Sequence, residues 1–379
     1  MLLYDLTACQ PVAGTLNHGG KEYAEAVFVK MMEMNIPLAG IYNASVDINP
    51  SFVEYCKSKG GILDVNETSV QTAINSKKYK AFYSPLPYFY NNIDFGDTVF
   101  IGNMHGLRNL EAFTDKYELL YASTLKRRII AILKKFKIVK AYKYKKEIDR
   151  LSTILQNPSF VCLTGSEHSK YSMILYFPFM KNRKIGVFWD PLILLEPNDN
   201  VEKINEDYYL LVSGNRYVKN TYRGIMALDS LISKGLVNKK VVVTGVEKGQ
   251  LYINKIRNKD HFILKGYVSA EELASLYKNA YSLVFLSLSE GFGYPPLEAI
   301  SRGVPVVCSP LTAIYEVYQN GALYCDPLSV TDIETKILMM ENEQIHDEYK
   351  RKGLARAEEI KKLQDVDLIK LVEYITSFS

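Results

Sequence analysis

Cysteine is scarce and poorly placed for cross-linking. The five residues (Cys9, Cys56, Cys162, Cys308, Cys325) are odd in number and show no Cys-x-x-Cys spacing. That argues against a disulfide framework or a thiolate zinc site, and for a reducing compartment. Also missing is any run near the ~18 uninterrupted apolar residues of a spanning helix. The opening stretch, Met1 to Thr7, reads as a strand. It lacks a basic n-region and carries Asp5 within the apolar residues, which speaks against a signal peptide. Nothing repeats at solenoid periods. A soluble or peripheral cytoplasmic protein is the expectation.

What is present suits a chain with a full core. The 379 residues are enough for about two domains, with 47% hydrophobic and 23% charged residues. Strand-like apolar runs alternate with helical patterns: residues 2–6, 37–42, 81–83, 98–101 and 160–164, then 208–213, 240–244, 261–265, 282–288 and 304–309. Alternation of this kind implies parallel sheets covered by helices on both faces. Between the two series, Asp190 to Glu206 contains Pro191, Pro197 and the run Asn198-Asp199-Asn200, and reads as a linker. The boundary is placed near residue 200, between two doubly wound domains facing one another across a cleft. Ligands of such sheets collect beyond the carboxyl ends of the strands.

Net charge is only +4 but unevenly spread. Lys126 to Arg150 holds eleven Lys or Arg against two acids, interleaved with Ile129, Ile130, Ile132, Leu133, Phe136, Ile138 and Val139. Two readings stand level: a solvated helical hairpin packed on the core, or a basic amphipathic surface resting on anionic lipid headgroups. Nucleic acid ranks below both, since no recognised nucleic-acid motif accompanies the patch.

The most informative stretch runs from Glu290 to Glu298, two carboxylates flanking Gly291-Phe292-Gly293-Tyr294-Pro295-Pro296-Leu297. A strand-like run leads in and a helical pattern follows. The prolines fit a first helical turn, where a missing N–H costs nothing, and Gly291 and Gly293 let backbone amides approach a ligand. A helix N-terminus can receive phosphate, and the carboxylates can receive hydroxyls, which is the layout of a nucleotide-sugar site. Gly214 to Asn220 is a second loop opening into a helix; Arg216 and Lys219 there can neutralise a diphosphate. A helix-capping turn explains the same segment without a ligand. Ser269 and Glu272 form a capping box, while the turn with Gly266, Tyr267 and Val268 can present backbone to a nucleobase.

Together these pieces resemble a known family. The block from Leu283 to Ser309, with its Glu-x7-Glu pair, then Gly303-Val304-Pro305-Val306, then Glu316-Val317, is similar to the signature of retaining GT-B glycosyltransferases of glycosyltransferase family 4. The likeness extends through Leu211–Asn220 and Leu264–Ala280 and covers nearly all of residues 208–330. The first half resembles the family more loosely, through Gly19-Gly20 after the first strand and through Ile101 to Arg108, which contains His105. Ser166 in Ser166-Glu167-His168 is a plain N-cap candidate.

The resemblance implies an α/β fold of the GT-B type. In it residues 1–200 form an acceptor-binding Rossmann-like domain and 201–365 a nucleotide-sugar-binding one, while a C-terminal helix (366–379) crosses back to the first. It implies that Glu298 binds ribose hydroxyls, Glu290 hydroxyls of the transferred sugar, and the amides of Gly291, Phe292, Gly293 and Tyr294 the distal phosphate. Arg216 and Lys219 would stabilise the leaving diphosphate, Arg216 less securely because the family's spacing is wider. His105 would touch the donor sugar, and Gly19, Gly20, Gly214, Tyr267 and Val268 would line the donor. No cofactor and no metal is expected, since two cations and a helix N-terminus can carry the diphosphate charge. The one clear Asp-x-Asp, Asp365-Val366-Asp367, falls in the helical C-terminal region and reads as a solvated face. The implied partners are a nucleotide-sugar donor and a glycan or lipid-linked acceptor, with an anionic membrane surface as the candidate contact of Lys126–Arg150. The implied activity is retaining sugar transfer in polysaccharide assembly. A degenerate binding subunit and a nucleotide-sugar isomerising enzyme of the same fold are the alternatives.

Overall fold

The computed structural model describes residues 1–11, 19–112, 114–197 and 204–379. By its internal contacts the chain forms two units. One comprises Met1–Leu107, Lys145–Ile193 and Lys362–Ser379, the other Arg108–Tyr144 and Leu194–Lys361. The chain thus passes between units at more points than a single boundary near residue 200. The physical reason is visible in the excursion Arg108–Tyr144, whose Tyr121 is buried in the second unit's core beside Tyr252 and Tyr222. The Asn198–Asn200 run lies outside the described residues.

The first unit is built on seven parallel strands: β1 (Leu2–Asp5), β2 (Leu38–Tyr42), β3 (Ile62–Asp64), β4 (Ala81–Ser84), β5 (Val99–Asn103), β6 (Phe160–Thr164) and β7 (Ile185–Val187). Their order is β3-β2-β1-β4-β5-β6-β7. The second unit has six: β8 (Tyr208–Leu211), β9 (Lys240–Val243), β10 (Phe262–Leu264), β11 (Ser282–Phe285), β12 (Val306–Cys308) and β13 (Leu323–Tyr324). They are ordered β10-β9-β8-β11-β12-β13, again all parallel. Interior strands such as β9 and β12, rich in Val and buried save for Lys240 at the start of β9, are what a sheet covered on both faces requires. In each sheet the order reverses between two neighbours, β1 and β4 or β8 and β11, and loops leaving such a pair diverge to open a crevice.

Tyrosine carries much of the packing, and several of its buried hydroxyls find backbone partners as expected of a polar tip in a core. Tyr4 donates to Ala24 O at 2.7 Å, and Tyr208 to Leu276 O at 2.7 Å. The last helix, Glu343–Thr376, runs for 34 residues. Its final turns enter the first unit's core through Leu368, Leu371, Val372 and Ile375. Asp367 is not an idle solvated residue as the sequence suggested. Its carboxylate accepts the Trp189 amide at 3.1 Å and so ties the helix to the segment after β7.

Candidate active site

Three adjacent strands of the second unit, β8, β11 and β12, deliver the charged centre from the loops at their carboxyl ends. Lys219 ends a short helical turn after β8, Glu290 lies in the loop after β11, and Thr312 follows β12. The loops are tied together by backbone. Leu288 N–H donates to Val218 O at 2.8 Å, and Ser309 Oγ to Ser287 O at 2.5 Å. Side-chain positions are therefore set by the switch point of the sheet and not by a mobile loop.

Lys219 and Glu290 form a buried ion pair, Nζ to Oε1 at 2.6 Å, with side-chain exposures of 7% and 6%. Ser287 Oγ donates to the same carboxylate oxygen at 2.5 Å, and Arg108 Nη2 stands 3.4 Å from Oε2. The Glu290 amide donates to Thr312 Oγ1 at 2.9 Å. Lys219 Nζ also lies 5.0 Å from the centroid of the Phe285 ring. Burial penalises both ions. For Lys219 that burial, aided by the like charges of Arg108 and Arg216 and opposed by Glu290, pushes the pKa down to about 8. For Glu290 burial alone would raise the pKa, but Lys219 and Arg108 with two hydrogen bonds outweigh it and hold the carboxyl at about 2. The exposed guanidinium of Arg216 is itself lowered, by partial desolvation and then by Arg108. Three cations converge on one carboxylate, a net positive cluster that suits a polyanionic ligand.

Strained backbone frames this cluster. Thr312 has φ +56°, uncommon for a β-branched residue, and Asn220 caps the helix Thr221–Ser233 in the left-handed region at φ +54°. Asn220 is over-determined: its Nδ2 donates to Pro327 O at 2.7 Å and its Oδ1 accepts from Arg223 Nη1 at 2.8 Å. Gly293, at φ +93°, precedes the helix Tyr294–Ile300, and a Cβ there would collide with Ile314 Cδ1. Only glycine fits.

Beyond Tyr294 the first turn of that helix has its own partners. Pro295 and Pro296 have no N–H, and the Leu297 amide donates to the Tyr318 hydroxyl at 3.1 Å. That hydroxyl in turn donates to Gly293 O. Glu298, eight residues after Glu290, pairs with Arg302 in the turn that ends its helix and is not part of the Lys219 cluster. Its pKa is raised by burial, against the pull of Arg302. Phe292 is buried, and its ring lies 5.9 Å from that of Tyr294. Gly291 lies at the bend after Glu290.

Each remaining predicted position has its own local setting. Gly214 is held by structure: its amide donates to Thr244 O at 2.7 Å, and its carbonyl accepts from Tyr252 at 3.0 Å and Gln250 at 3.2 Å. Tyr267 is exposed and Val268 partly buried, in the loop after the edge strand β10. Gly19 and Gly20 are the first two residues of the helix Gly19–Glu33 in the first unit, so the described backbone there is helical and not a loop. His105, also of the first unit, follows β5 with both ring nitrogens engaged. Nε2 faces Pro85 O at 2.9 Å and Nδ1 faces Asp190 Oδ2 at 3.5 Å, while the ring meets Tyr23 edge-on. Its imidazole is therefore oriented by its own unit. Ser166 and Ser269 cap their helices, accepting from Ser169 N–H at 3.2 Å and Glu272 N–H at 3.1 Å. The Glu272 carboxylate pairs with Lys265 instead of closing the box.

Arg108, Ser287 and Thr312 are the members sequence reasoning missed. Arg108 stood within a quoted segment, but nothing in its spacing assigns it to residues 182 positions away. The short helix Arg108–Glu111 is docked twice on the β11 loop, by Arg108 on Glu290 and by Ser289 Oγ donating to Glu111 at 2.7 Å.

Parts of the chain are similar to known proteins. Over 69 residues the chain is 46% identical to the O-antigen chain mannosyltransferase RfbU of Salmonella typhimurium, which covers 18% of this chain and 20% of that one. Over 95 residues it is 42% identical to O-antigen chain mannosyltransferase B of Escherichia coli, covering 25% of each. The chain thus aligns with only a fifth to a quarter of these relatives' length. Among solved structures, sucrose-phosphate synthase from Thermosynechococcus elongatus superposes with a TM-score of 0.70 at 12% identity, over 99% of this chain and 98% of that one. The fold is GT-B, with two Rossmann-like units. Residues 196–357, which contain Lys219, Glu290 and Glu298, match the model of the glycosyl transferases group 1.

Proposed function

We propose that this protein is a retaining, metal-independent transferase that moves a hexosyl group from a nucleotide sugar to a glycan or lipid-linked acceptor in polysaccharide assembly. The observation that carries the reading is the buried Lys219–Glu290 pair with Arg108 beside it and Arg216 at its rim. Cleavage of a sugar–diphosphate bond places new negative charge on the leaving phosphate. Preorganised cations in a water-poor site stabilise that charge more in the transition state than in the ground state. Glu290 sets the geometry of Lys219, and its Oε2 is the oxygen left with the longer contact. In a front-face reaction the leaving phosphate accepts the acceptor's hydroxyl proton, so no second carboxylate is required and the α-configuration is kept. The relatives named above act as mannosyltransferases in O-antigen chains, which makes mannose the first sugar to try.

A thermal-shift and turnover screen of UDP-, GDP- and ADP-linked mannose and glucose, in chelator, tests this. Stabilisation by one nucleotide class and an α-linked product identified by NMR are expected. A β-linked product would end the retaining reading. Interconversion of the donor without an acceptor would favour an isomerising enzyme, and binding without turnover for any acceptor a degenerate subunit.

The charge state of Lys219 gives a second test. With its pKa pushed down to about 8, the ammonium is lost as pH rises through that value, so kcat/KM should fall on an alkaline limb near pH 8. Lys219→Arg, whose guanidinium stays charged, should move the limb upward by at least about one pH unit even if activity is lower throughout. An unmoved limb would assign it to another group.

A further inference from the structure

We propose that the stretch Leu125–Tyr144 of the second unit is a docking face for an anionic lipid bilayer. It begins with the helix Leu125–Leu133 and continues into the helix Lys137–Leu155. Between Leu125 and Tyr144 there are eight Lys or Arg and no Asp or Glu. Ile129, Ile132 and Leu133 stand at the i, i+3, i+4 spacing by which a helix normally buries one stripe, and Phe136 sits at the bend that follows. Here these side chains lie open: Ile129 is 50% exposed, Ile132 46%, Leu133 45% and Phe136 59%, with Leu125 and Ile138 exposed on either side, and Ala131 is the sole buried residue of the first helix. Contiguous exposed apolar surface of this kind marks an interaction site.

Not every cation is available. Arg127 pairs with Glu247, Lys134 with Glu118, and Arg128 Nη2 donates to Gly249 O at 2.9 Å. These three fasten the helix to its unit. Lys126, Lys135, Lys137 and Lys140 are exposed and pair with no carboxylate among the described residues. Outward lysines, outward isoleucine and phenylalanine, and no acid is the composition that an anionic bilayer rewards. Apolar side chains enter the headgroup boundary while lysine stems snorkel to phosphate. A second copy of this chain would set eight cations against eight. Nucleic acid would use the charge and leave the apolar stripe in water.

The same excursion starts at Arg108–Glu111 on the Glu290 loop, so the unit that gathers the cations is the unit that would rest on lipid. The inference does not depend on sugar transfer, and its test uses no donor. The full-length protein is floated with vesicles of phosphatidylcholine alone or with phosphatidylglycerol, at low and high salt. Binding is expected only to the anionic vesicles, and it should be lost at high salt. Lys135→Glu/Lys137→Glu/Lys140→Glu and, separately, Phe136→Asp/Ile138→Asp should each weaken it on the order of 100-fold while leaving the melting temperature unchanged. No binding of the wild type to anionic vesicles at low salt overturns the inference, as does binding that neither variant alters. A wild-type dimer that Phe136→Asp/Ile138→Asp converts to a monomer, without vesicle binding, would assign the face to a second copy.

Discussion

Lys219→Ala is expected to lower kcat by about 10²- to 10³-fold, the range seen when one preorganised stabiliser of developing charge is removed. The ammonium is buried and held at 2.6 Å by a carboxylate that two hydrogen bonds and Arg108 keep in place. It therefore need not reorganise as charge builds on the leaving phosphate. Its work lies mainly in the transition state, so donor KM should change far less than kcat. Arg216→Ala should cost less, because that guanidinium is exposed and freer to move. The variant should keep its fold, since Glu290 retains Arg108 and Ser287 as partners. Single-turnover kinetics with the identified donor would check this; a loss under about tenfold would remove Lys219 from the reacting centre.

The parts of this architecture that sequence discloses are those decided by local chemistry. All ten expected strands occur, because interior parallel strands such as β12, and β9 after its first residue Lys240, must be apolar. The unforeseen strands, β3, β7 and β13, are sheet edges of two or three residues. Ile185-Gly186-Val187 and Leu323-Tyr324 are too short to stand out from a loop, and neighbouring strands define them. The same division holds at the site. Lys219 and Glu290 were legible because each follows a strand in a motif of fixed spacing, and the fold brings those strands together. Arg108 was not, since its place depends on where the chain leaves one unit for the other, which tertiary packing of Tyr121 and Asp115 decides. Glu298 adds a contact that its spacing from Glu290 does not announce: four residues on stands Arg302, close enough to pair with the carboxylate.

Glu290→Gln should behave differently from Lys219→Ala, and the contrast separates structural from catalytic work in the pair. Glutamine fills the same space and can still accept from Ser287 and Lys219, so what is lost is charge. Lys219 would then lie buried with Arg108 and Arg216 and no anion. Removing one partner of a buried pair costs roughly 3–5 kcal/mol. The low end, about 3 kcal/mol, is expected here because Lys219, already lowered to about 8, can shed its proton instead of remaining an uncompensated ion. The dependence on pH has a definite sign. The folded carboxyl at about 2 lies below its ordinary 4.5, so the stabilisation is complete above pH 4.5 and fades as pH falls towards 2. Wild type and variant should therefore differ most in stability near neutrality and converge in acid. Pyrophosphate should raise the variant's melting temperature more than the wild type's, because it replaces the missing anion without competing with Glu290 for Lys219. Equal shifts in both proteins would mean that the anion binds away from the pair. A variant as stable as wild type at pH 7 would mean that Glu290 does not hold the cations together.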